Sequence, residues 1–276
     1  MKRVLITGAG SYIGTSFENW VRERYPGEFS VDTVDMVDGS WREKEFAGYD
    51  AILHVAGIVH QKETSRNKEL YYKVNRNLAI ETAQKAKRNG VKQFILLSSM
   101  SVYGLETGVI TKDTVPVPKS NYGKSKLEAD IAIQAMDCET FKVAIIRPPM
   151  IYGKGCKGNY RTLSKTVLKF GIFPLVHNER SMLYIDNLSY FIKCVLDSSA
   201  SGIFCPQNID YVCTSNMAFL IGKAHRKKIR HIILLEKAIP YIPLRITRKV
   251  FGNLVYEKTD VCSYVSFGES IRLTEK

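Results

Sequence analysis

Short apolar runs alternate with helical stretches through the first half of the chain, and this alternation constrains the fold more than any other feature. The runs have the length and composition of buried β-strands, and the stretches between them have the periodicity of α-helices. The predicted strands cover residues 4–7, 30–36, 51–55, 94–97 and 142–146, and the predicted helices cover 13–24, 70–89, 124–136, 160–170 and 186–196. Strands that are apolar on both faces form parallel sheets covered by helices on both sides, so the pattern predicts an α/β fold with a doubly wound parallel sheet.

A glycine-rich turn joins the first predicted strand to the first predicted helix. It reads Thr7-Gly8-Ala9-Gly10-Ser11-Tyr12-Ile13-Gly14. Glycines let the backbone approach a pyrophosphate closely, and the N–H groups and dipole of the following helix face its negative charge. Ser11 stands where the usual Gly-x-x-Gly-x-x-Gly pattern has its middle glycine, and a turn without ligand is the alternative. The turn predicts a dinucleotide site of the Rossmann type, formed by Gly8, Gly10, Ser11, Tyr12, Ile13 and Gly14.

A carboxylate at the end of the second predicted strand bears on the choice of dinucleotide. Asp35 lies 21 residues after Gly14. A carboxylate there accepts hydrogen bonds from both ribose hydroxyls of adenosine and repels a 2′-phosphate, which favours NAD over NADP. Asp32 and Asp38 lie nearby, and Arg42 is the first cation that could accept a 2′-phosphate.

A serine, a tyrosine and a lysine have side chains that suit hydride transfer at a carbinol carbon. Ser99 lies at the carboxyl end of the fourth predicted strand, and Tyr122 and Lys126 are four residues apart at the start of a predicted helix, so they share a face. The hydroxyl proton must move with the hydride, and a tyrosine moves it at neutral pH if a nearby ammonium lowers its pKa. We predict Ser99, Tyr122 and Lys126 as the catalytic residues. An amphipathic surface pair is the alternative for the last two.

Taken together, these segments resemble the extended short-chain dehydrogenase/reductases of the NAD-dependent epimerase/dehydratase group. The resemblance is carried by residues 7–14, 50–57, 74–75, 98–104, 122–126, 147–153 and 180–187. It implies a Rossmann domain with Ala56 and Gly57, together with Tyr122 and Lys126, as further cofactor contacts. It also implies a lobe that binds a nucleoside diphosphate sugar, in particular a UDP-sugar. The implied substrate contacts are Ser99, Asn75, His60, Asn159 and Arg180.

The chain divides into two parts on this reading. Residues 1–150 form the predicted Rossmann domain, and residues 151–276 mainly form a smaller C-terminal substrate-binding lobe. Residues from about 186 to 206 are expected to return to the Rossmann domain. The change comes after Arg147-Pro148-Pro149, where the alternation gives way to a glycine-containing loop.

The resemblance also narrows the set of reactions that this chain is expected to catalyse. Dehydratases of the group carry an Asp-Glu pair after the catalytic Ser/Thr, whereas this chain has Met100 and Ser101. Residues 56–60 and 155–159 are similar to reductases that make N-acetylated 6-deoxyhexoses for bacterial surface polysaccharides. The resemblance therefore implies NAD(P)-dependent reduction of a 4-keto-6-deoxy nucleotide sugar. A UDP-hexose or UDP-N-acetylhexosamine 4-epimerase stays open, as does a non-catalytic dinucleotide-binding regulator.

The composition limits the partners. The net charge is +13, and ten Lys/Arg against two Glu lie between residues 223 and 258. This run indicates either a solvated surface or a weak association with an anionic membrane, and no motif predicts a nucleic-acid partner. The six cysteines lack Cys-x-x-Cys spacing, so we predict no metal site and a cytoplasmic location. A homodimer stays open.

Overall fold

The computed structural model describes residues 1–59, 63–64, 67–232, 250–262 and 264–276. His60, a predicted substrate contact, lies outside the described residues. So do four members of the basic run: Lys237, Arg245, Arg248 and Lys249.

The strands and helices follow one another along the chain as two interleaved sets. The strands are β1 (Lys2–Thr7), β2 (Phe29–Val34), β3 (Ala51–His54), β4 (Gln93–Leu97), β5 (Gly108–Ile110), β6 (Lys142–Ile146), β7 (Met150–Tyr152), β8 (Ile172–Phe173), β9 (Met182–Tyr184), β10 (Gly202–Phe204), β11 (Gln207–Asn208), β12 (Arg230–His231), β13 (Leu254–Tyr256) and β14 (Val261–Cys262). The helices are α1 (Tyr12–Arg24), α2 (Lys68–Tyr71), α3 (Ala79–Arg88), α4 (Asn121–Gln134), α5 (Asn159–Phe170), α6 (Ile185–Ser198), α7 (Thr214–Ala224) and α8 (Phe267–Glu275). No helix in the described ranges is long and apolar enough to cross a membrane.

A six-stranded parallel sheet organises the first of two compact units, which comprises residues 1–104, 116–148 and 188–206. The strand order is β10-β6-β4-β3-β1-β2, and every neighbouring pair is parallel. The chain runs from β1 to β2 and then crosses to β3 on the other side of β1. The order therefore reverses between β1 and β3, which is where doubly wound sheets bind ligands at their carboxyl ends. The predicted α/β Rossmann class is confirmed.

Helices pack on the sheet because its strands are apolar on both faces. Leu5, Ile52 and Phe94 belong to a buried cluster that includes α3 and α4 residues. On the other face, α1 lies so close to β1 that a Cβ at Gly14 would be 3.0 Å from the Ile6 side chain. Burial of each large apolar side chain contributes roughly 1.5–3 kcal/mol relative to exposure.

One predicted helix differs from the structure. Residues 70–89 were expected to form a single helix, but α2 and α3 are joined by a π-helical turn, Tyr72–Leu78. The wider turn accommodates Asn75, whose side chain is fully buried. Single π-helical turns occur frequently at functional sites.

The second unit comprises residues 105–115, 149–187 and 207–276. It contains α5, α7 and α8 and four pairs of short parallel strands: β5 with β13, β7 with β9, β8 with β12, and β11 with β14. Residues 105–115 belong to this unit, although the sequence division gave all of 1–150 to the first domain. The predicted role of this unit in substrate binding stays a prediction.

Candidate active site

The glycine-rich turn is built tightly at its two ends. Gly8 has a φ of +119°, and a Cβ there would lie 2.9 Å from the backbone nitrogen of Ala56. A Cβ at Gly14 would lie 2.7 Å from the Ser11 Oγ, which accepts a hydrogen bond from the Gly14 N–H at 3.2 Å. Both positions therefore need glycine, and Ser11 is the N-cap of α1.

The middle of the turn is open. Gly10 has a φ of +70°, and nothing lies within 4 Å of a Cβ built there. Tyr12 and Ile13 begin α1, so their amides lie in its first turn, where backbone N–H groups have no carbonyl partner within the helix. A tight turn with open space beside helix N–H groups fits the pyrophosphate of a dinucleotide.

Asp35 lies beside this turn. It follows directly after β2, whose last carbonyl, at Val34, accepts hydrogen bonds from the N–H groups of Gly8 and Ala9. The Asp35 carboxylate is exposed and accepts a hydrogen bond from the Val37 N–H at 2.9 Å through Oδ1. It is thus placed next to the glycine-rich turn, as the predicted contact with a ribose requires.

The other candidate groups for the ribose are engaged elsewhere. Asp32 accepts a hydrogen bond from the Tyr49 hydroxyl at 2.7 Å, and Asp38 accepts one from the backbone two residues later at 3.0 Å. The Arg42 guanidinium donates to both oxygens of Glu81, at 2.6 and 2.7 Å. Asp35 and Asp38 each accept a backbone N–H from two residues later, so this contact does not distinguish them. Asp35 fits an adenosine ribose best because it directly follows the Val34 carbonyl that binds the glycine-rich turn, and its role stays a prediction.

The loop after β3 is fixed by Asn75. Its side chain accepts a hydrogen bond from the Ile58 N–H at 2.8 Å and donates one to the Ile58 carbonyl at 3.1 Å. A Cβ on Gly57 would lie 3.0 Å from the Asn75 Oδ1 and 3.4 Å from the Lys126 Nζ. Ala56 and Gly57 thus lie between the glycine-rich turn and Lys126. The predicted contact of Asn75 with substrate stays a prediction, since both ends of its amide bind the loop.

Ser99 and Tyr122 meet at the carboxyl end of β4. Ser99 follows that strand and caps a short 3₁₀ helix, Met100–Tyr103, by accepting a hydrogen bond from the Ser101 N–H at 3.1 Å. Burial raises the pKa of the Tyr122 phenol, and the nearby Ser99 side chain acts on that pKa in the opposite direction. The two hydroxyls can therefore contact one substrate oxygen together.

Lys126 lies one helical turn beyond Tyr122 on α4. Its ammonium is buried and donates a hydrogen bond to the Leu97 carbonyl at 2.7 Å. Burial lowers the pKa of Lys126 to about 8. The sequence predicts that Lys126 lowers the pKa of the Tyr122 phenol. Because burial raises that pKa, the effect of Lys126 must be the larger of the two.

A buried ion pair lies behind these residues, and the sequence analysis missed it. Asp130 Oδ2 accepts hydrogen bonds from the Ser98 hydroxyl at 2.8 Å and from Arg147 Nε at 3.0 Å. Arg147 also donates to the Tyr103 hydroxyl at 3.1 Å. The spacing of four from Lys126 to Asp130 could have signalled the carboxylate, because it places both on one helix face.

A second missed residue contacts the start of α4. The Glu63 carboxylate accepts hydrogen bonds from the backbone N–H groups of Asn121 and Tyr122, both at 3.0 Å. A carboxylate at a helix N-terminus is stabilised by the helix dipole. Glu63 therefore holds the backbone of the tyrosine itself. No sequence signal links residues 58 positions apart, so this contact was not predictable.

The two remaining predicted substrate contacts belong to the second unit. Asn159 is the exposed first residue of α5, after Gly158 with a φ of +90°. Arg180 is half-buried and donates a hydrogen bond to the Gly252 carbonyl at 2.9 Å, and burial lowers the pKa of its guanidinium. Their contacts with a nucleotide sugar stay predictions. In the described part of the chain, no group of three His, Cys, Asp or Glu residues could hold a metal ion.

Comparison with known proteins gives consistent matches. The model of the NAD dependent epimerase/dehydratase family matches residues 4–202. The chain is 31% identical to UDP-glucose 4-epimerase of Vibrio cholerae, over 94% of this chain and 84% of that protein. It is 29% identical to the N-acetyl-alpha-D-glucosaminyl-diphospho-ditrans,octacis-undecaprenol 4-epimerase of Escherichia coli O157:H7, over 92% of this chain and 78% of that protein.

Solved structures agree on the fold. The crystal structure of a dTDP-4-dehydrorhamnose reductase from Clostridium acetobutylicum is similar with a TM-score of 0.76 and 18% identity, and the match covers 99% of this chain and 98% of that one. At that identity the similarity shows the fold alone. The matched residues 4–202 include the glycine-rich turn, Ser99, Tyr122 and Lys126, and the family is NAD dependent, in agreement with the predicted cofactor. The chain belongs to the NAD dependent epimerase/dehydratase family.

Proposed function

We propose that this protein reduces a 4-keto-6-deoxy nucleotide sugar, carried by UDP, at C4 with NADH. The observation that carries the proposal is that the Ser99 side chain lies near the Tyr122 phenol, with buried Lys126 one helical turn away. These groups lie at the carboxyl end of β4, on the side of the sheet where doubly wound folds bind ligands.

The protein's residues have separate roles in this reaction. Tyr122 donates its phenolic proton to the C4 oxygen, and Ser99 donates a hydrogen bond to the same oxygen. The positive charge of Lys126 favours loss of the phenolic proton and adds a contact to the nicotinamide ribose. Bound NADH supplies the hydride, so a keto group, one hydride and one proton give a 4-hydroxyl group and NAD.

Two positions argue against elimination of water. Met100 and Ser101 follow Ser99 in the short 3₁₀ helix, and neither side chain can protonate a leaving hydroxide or remove a carbon-bound proton at neutral pH. Hydride transfer at C4 needs no further acid–base pair. The residues present therefore support oxidation or reduction at C4 rather than a dehydratase reaction.

The nucleotide end of the substrate is assigned to the second unit. Arg180 supplies a cation for a diphosphate, and Asn159 supplies an exposed amide at the start of α5. Residues 56–60 and 155–159 support a role in making bacterial surface polysaccharides, as argued above.

A 4-epimerase is the second candidate, because two relatives aligned over more than nine-tenths of this chain are named 4-epimerases. An epimerase uses the same three residues, but it oxidises C4 and then reduces it from the other face. It must therefore retain its NAD between the two steps, whereas a reductase exchanges NADH at each turnover.

Two incubations separate the candidates. With a UDP-4-keto-6-deoxy-hexosamine and NADH, the reductase gives loss of NADH absorbance equal to the 4-hydroxy product formed. With UDP-galactose or UDP-N-acetylgalactosamine and no added cofactor, it gives no change. Interconversion of C4 epimers in the second mixture, without NADH consumption in the first, would establish the epimerase instead.

A further inference from the structure

We propose that an exposed basic face of the second unit docks the protein on an anionic phospholipid surface. This inference goes beyond the reaction and does not depend on it. The basic face consists of exposed cations on α5, at the end of α7 and around β12: Lys165, Lys169, Lys223, Arg226, Lys227, Lys228 and Arg230.

Direct contacts hold these residues on one side of the unit. The Lys227 ammonium donates a hydrogen bond to the Leu168 carbonyl, in the last turn of α5. The Arg230 N–H donates to the Gly171 carbonyl at 2.9 Å, and β12 then pairs with β8. The end of α7 is thereby fixed against the end of α5, so the cations of both elements form one surface.

The charge of this surface is not balanced by nearby carboxylates. Between residues 223 and 258 the sequence has ten Lys/Arg and two Glu. Within the described ranges, no ion pair involves a residue of the basic face. The Glu275 carboxylate lies at α5 and α7 but is buried there, where it accepts hydrogen bonds from Tyr160 and Ser164 and pairs with His225. The face therefore presents net positive charge to its partner.

An exposed aromatic group beside the cations favours a membrane over a nucleic acid. Phe170 ends α5 with 60% of its surface exposed, and the Lys169 Nζ lies 5.4 Å from its ring centre. Cations next to an exposed aromatic group suit a lipid interface, where phosphates pair with the charges and the apolar group enters the headgroup region. Nucleic-acid backbone binding requires the cations alone.

Vesicle flotation of the full chain tests the docking. The probes are vesicles of phosphatidylcholine alone and vesicles of phosphatidylcholine and phosphatidylglycerol in equal parts, each at low salt. We expect flotation with the anionic vesicles only, and its loss as salt screens the charges. Each Lys or Arg near an anionic surface contributes about fivefold to binding. A variant lacking four charges of the basic face should therefore bind about several hundredfold more weakly.

A matched pair of variants distinguishes an effect of the basic face from an effect of the protein's total net charge. The test variant carries glutamine at four basic-face positions: Lys223, Arg226, Lys228 and Arg230. Lys227 is kept because its ammonium binds Leu168. The control variant carries glutamine at four exposed cations of the first unit: Arg24, Lys44, Arg88 and Lys92. Both variants should keep turnover, and only the test variant should lose flotation.

Three outcomes would overturn the proposal. One is equal flotation of the wild type with neutral and anionic vesicles. Another is an equal loss of flotation in the test and control variants, which would make the effect one of net charge. The third is no flotation with either vesicle but binding of a random DNA duplex that the test variant loses, which would make nucleic acid the partner.

Discussion

Asp130 is the charged residue that bears most directly on the proposed chemistry without touching substrate. It lies one turn beyond Lys126 on the buried face of α4, and its negative charge raises the pKa of that lysine, against the larger effect of burial. Lys126 must be positive to act on Tyr122, and burial leaves its pKa at about 8. The rate of reduction should therefore fall as the pH rises through about 8, because Lys126 loses its proton.

In a plot of kcat against pH, Asp130→Asn should move the fall in rate to lower pH, because it removes the charge that favours the protonated form of Lys126. His54 does not titrate in this range, since burial lowers its pKa to about 3. The control is Ser98→Ala, which removes a hydrogen bond to Asp130 but keeps its charge. If Asp130→Asn folds, binds NAD and loses activity at the same pH as the wild type, Asp130 has no influence on Lys126.

Asp35 should determine the preference between dinucleotides. Hydrogen bonds to a charged group contribute about 1.5–3 kcal/mol, which corresponds to about 10- to 150-fold in kcat/KM. The wild type should favour NADH over NADPH, and Asp35→Ala should narrow the ratio. Asp38→Ala, which removes a carboxylate bound to its own loop, should leave the ratio unchanged. A wild type that favours NADPH would show that another residue contacts the ribose.

At the scale of elements, the start of α4 bears most on the proposed reaction, because it positions Tyr122. The helix has no acidic residue in its first turn, and Glu63 supplies that charge from the loop after β3. Ser120 caps the same helix by accepting a hydrogen bond from the Gly123 N–H at 3.0 Å. Two caps therefore hold one helix end, and of these two Glu63 is the one that accepts a hydrogen bond from the Tyr122 N–H.

These two caps give a matched test of positioning. Glu63→Ala and Ser120→Ala should each lower the free energy of unfolding by about 1 kcal/mol. Only Glu63→Ala should also lower kcat, by about tenfold if the displaced phenol loses the equivalent of one hydrogen bond. Steady-state kinetics and urea unfolding give both quantities. Equal effects of the two variants on kcat would show that Glu63 acts only as a helix cap and does not position Tyr122.

The π-helical turn shows what periodicity could not predict. Residues 70–89 have a continuous helical pattern in the sequence, and that pattern does not show the wider turn between α2 and α3. The deviation is centred on Asn75, which binds the backbone of Ile58, 17 residues earlier. A hydrogen bond over that distance leaves no local signature. The same holds for the contact of Glu63 with α4.

For the whole molecule, five of the six strands of the parallel sheet could be predicted from sequence, because the pattern of each one lies within a few consecutive residues. The edge strand β10 was not predicted. Gly8 and Gly14 mark close contacts that any side chain would obstruct. The second unit could not be outlined in this way. Residues 105–115 join it because β5 pairs with β13, more than 140 residues later, and neither three-residue strand has a recognisable pattern. Helices α7 and α8 are not among the predicted elements either.

The three residues predicted to be catalytic could be placed together from sequence for a related reason. Ser99 follows the carboxyl end of a strand, and Tyr122 and Lys126 share a helix face, so two local rules place them together. The buried pair of Asp130 and Arg147 joins α4 to the end of β6, and its partners become apparent only once the sheet is assembled.

Transfer of deuterium to C4 tests the central claim most directly. The protein is incubated with a UDP-4-keto-6-deoxy-hexosamine and NADH that carries deuterium at the transferred position, and the product is analysed by mass spectrometry. The account predicts one deuterium at C4 in the wild-type product. It also predicts transfer about 10²–10⁴-fold slower in Tyr122→Phe, with unchanged NAD binding. A product without deuterium, or a Tyr122→Phe variant that transfers it at the wild-type rate, would contradict the account.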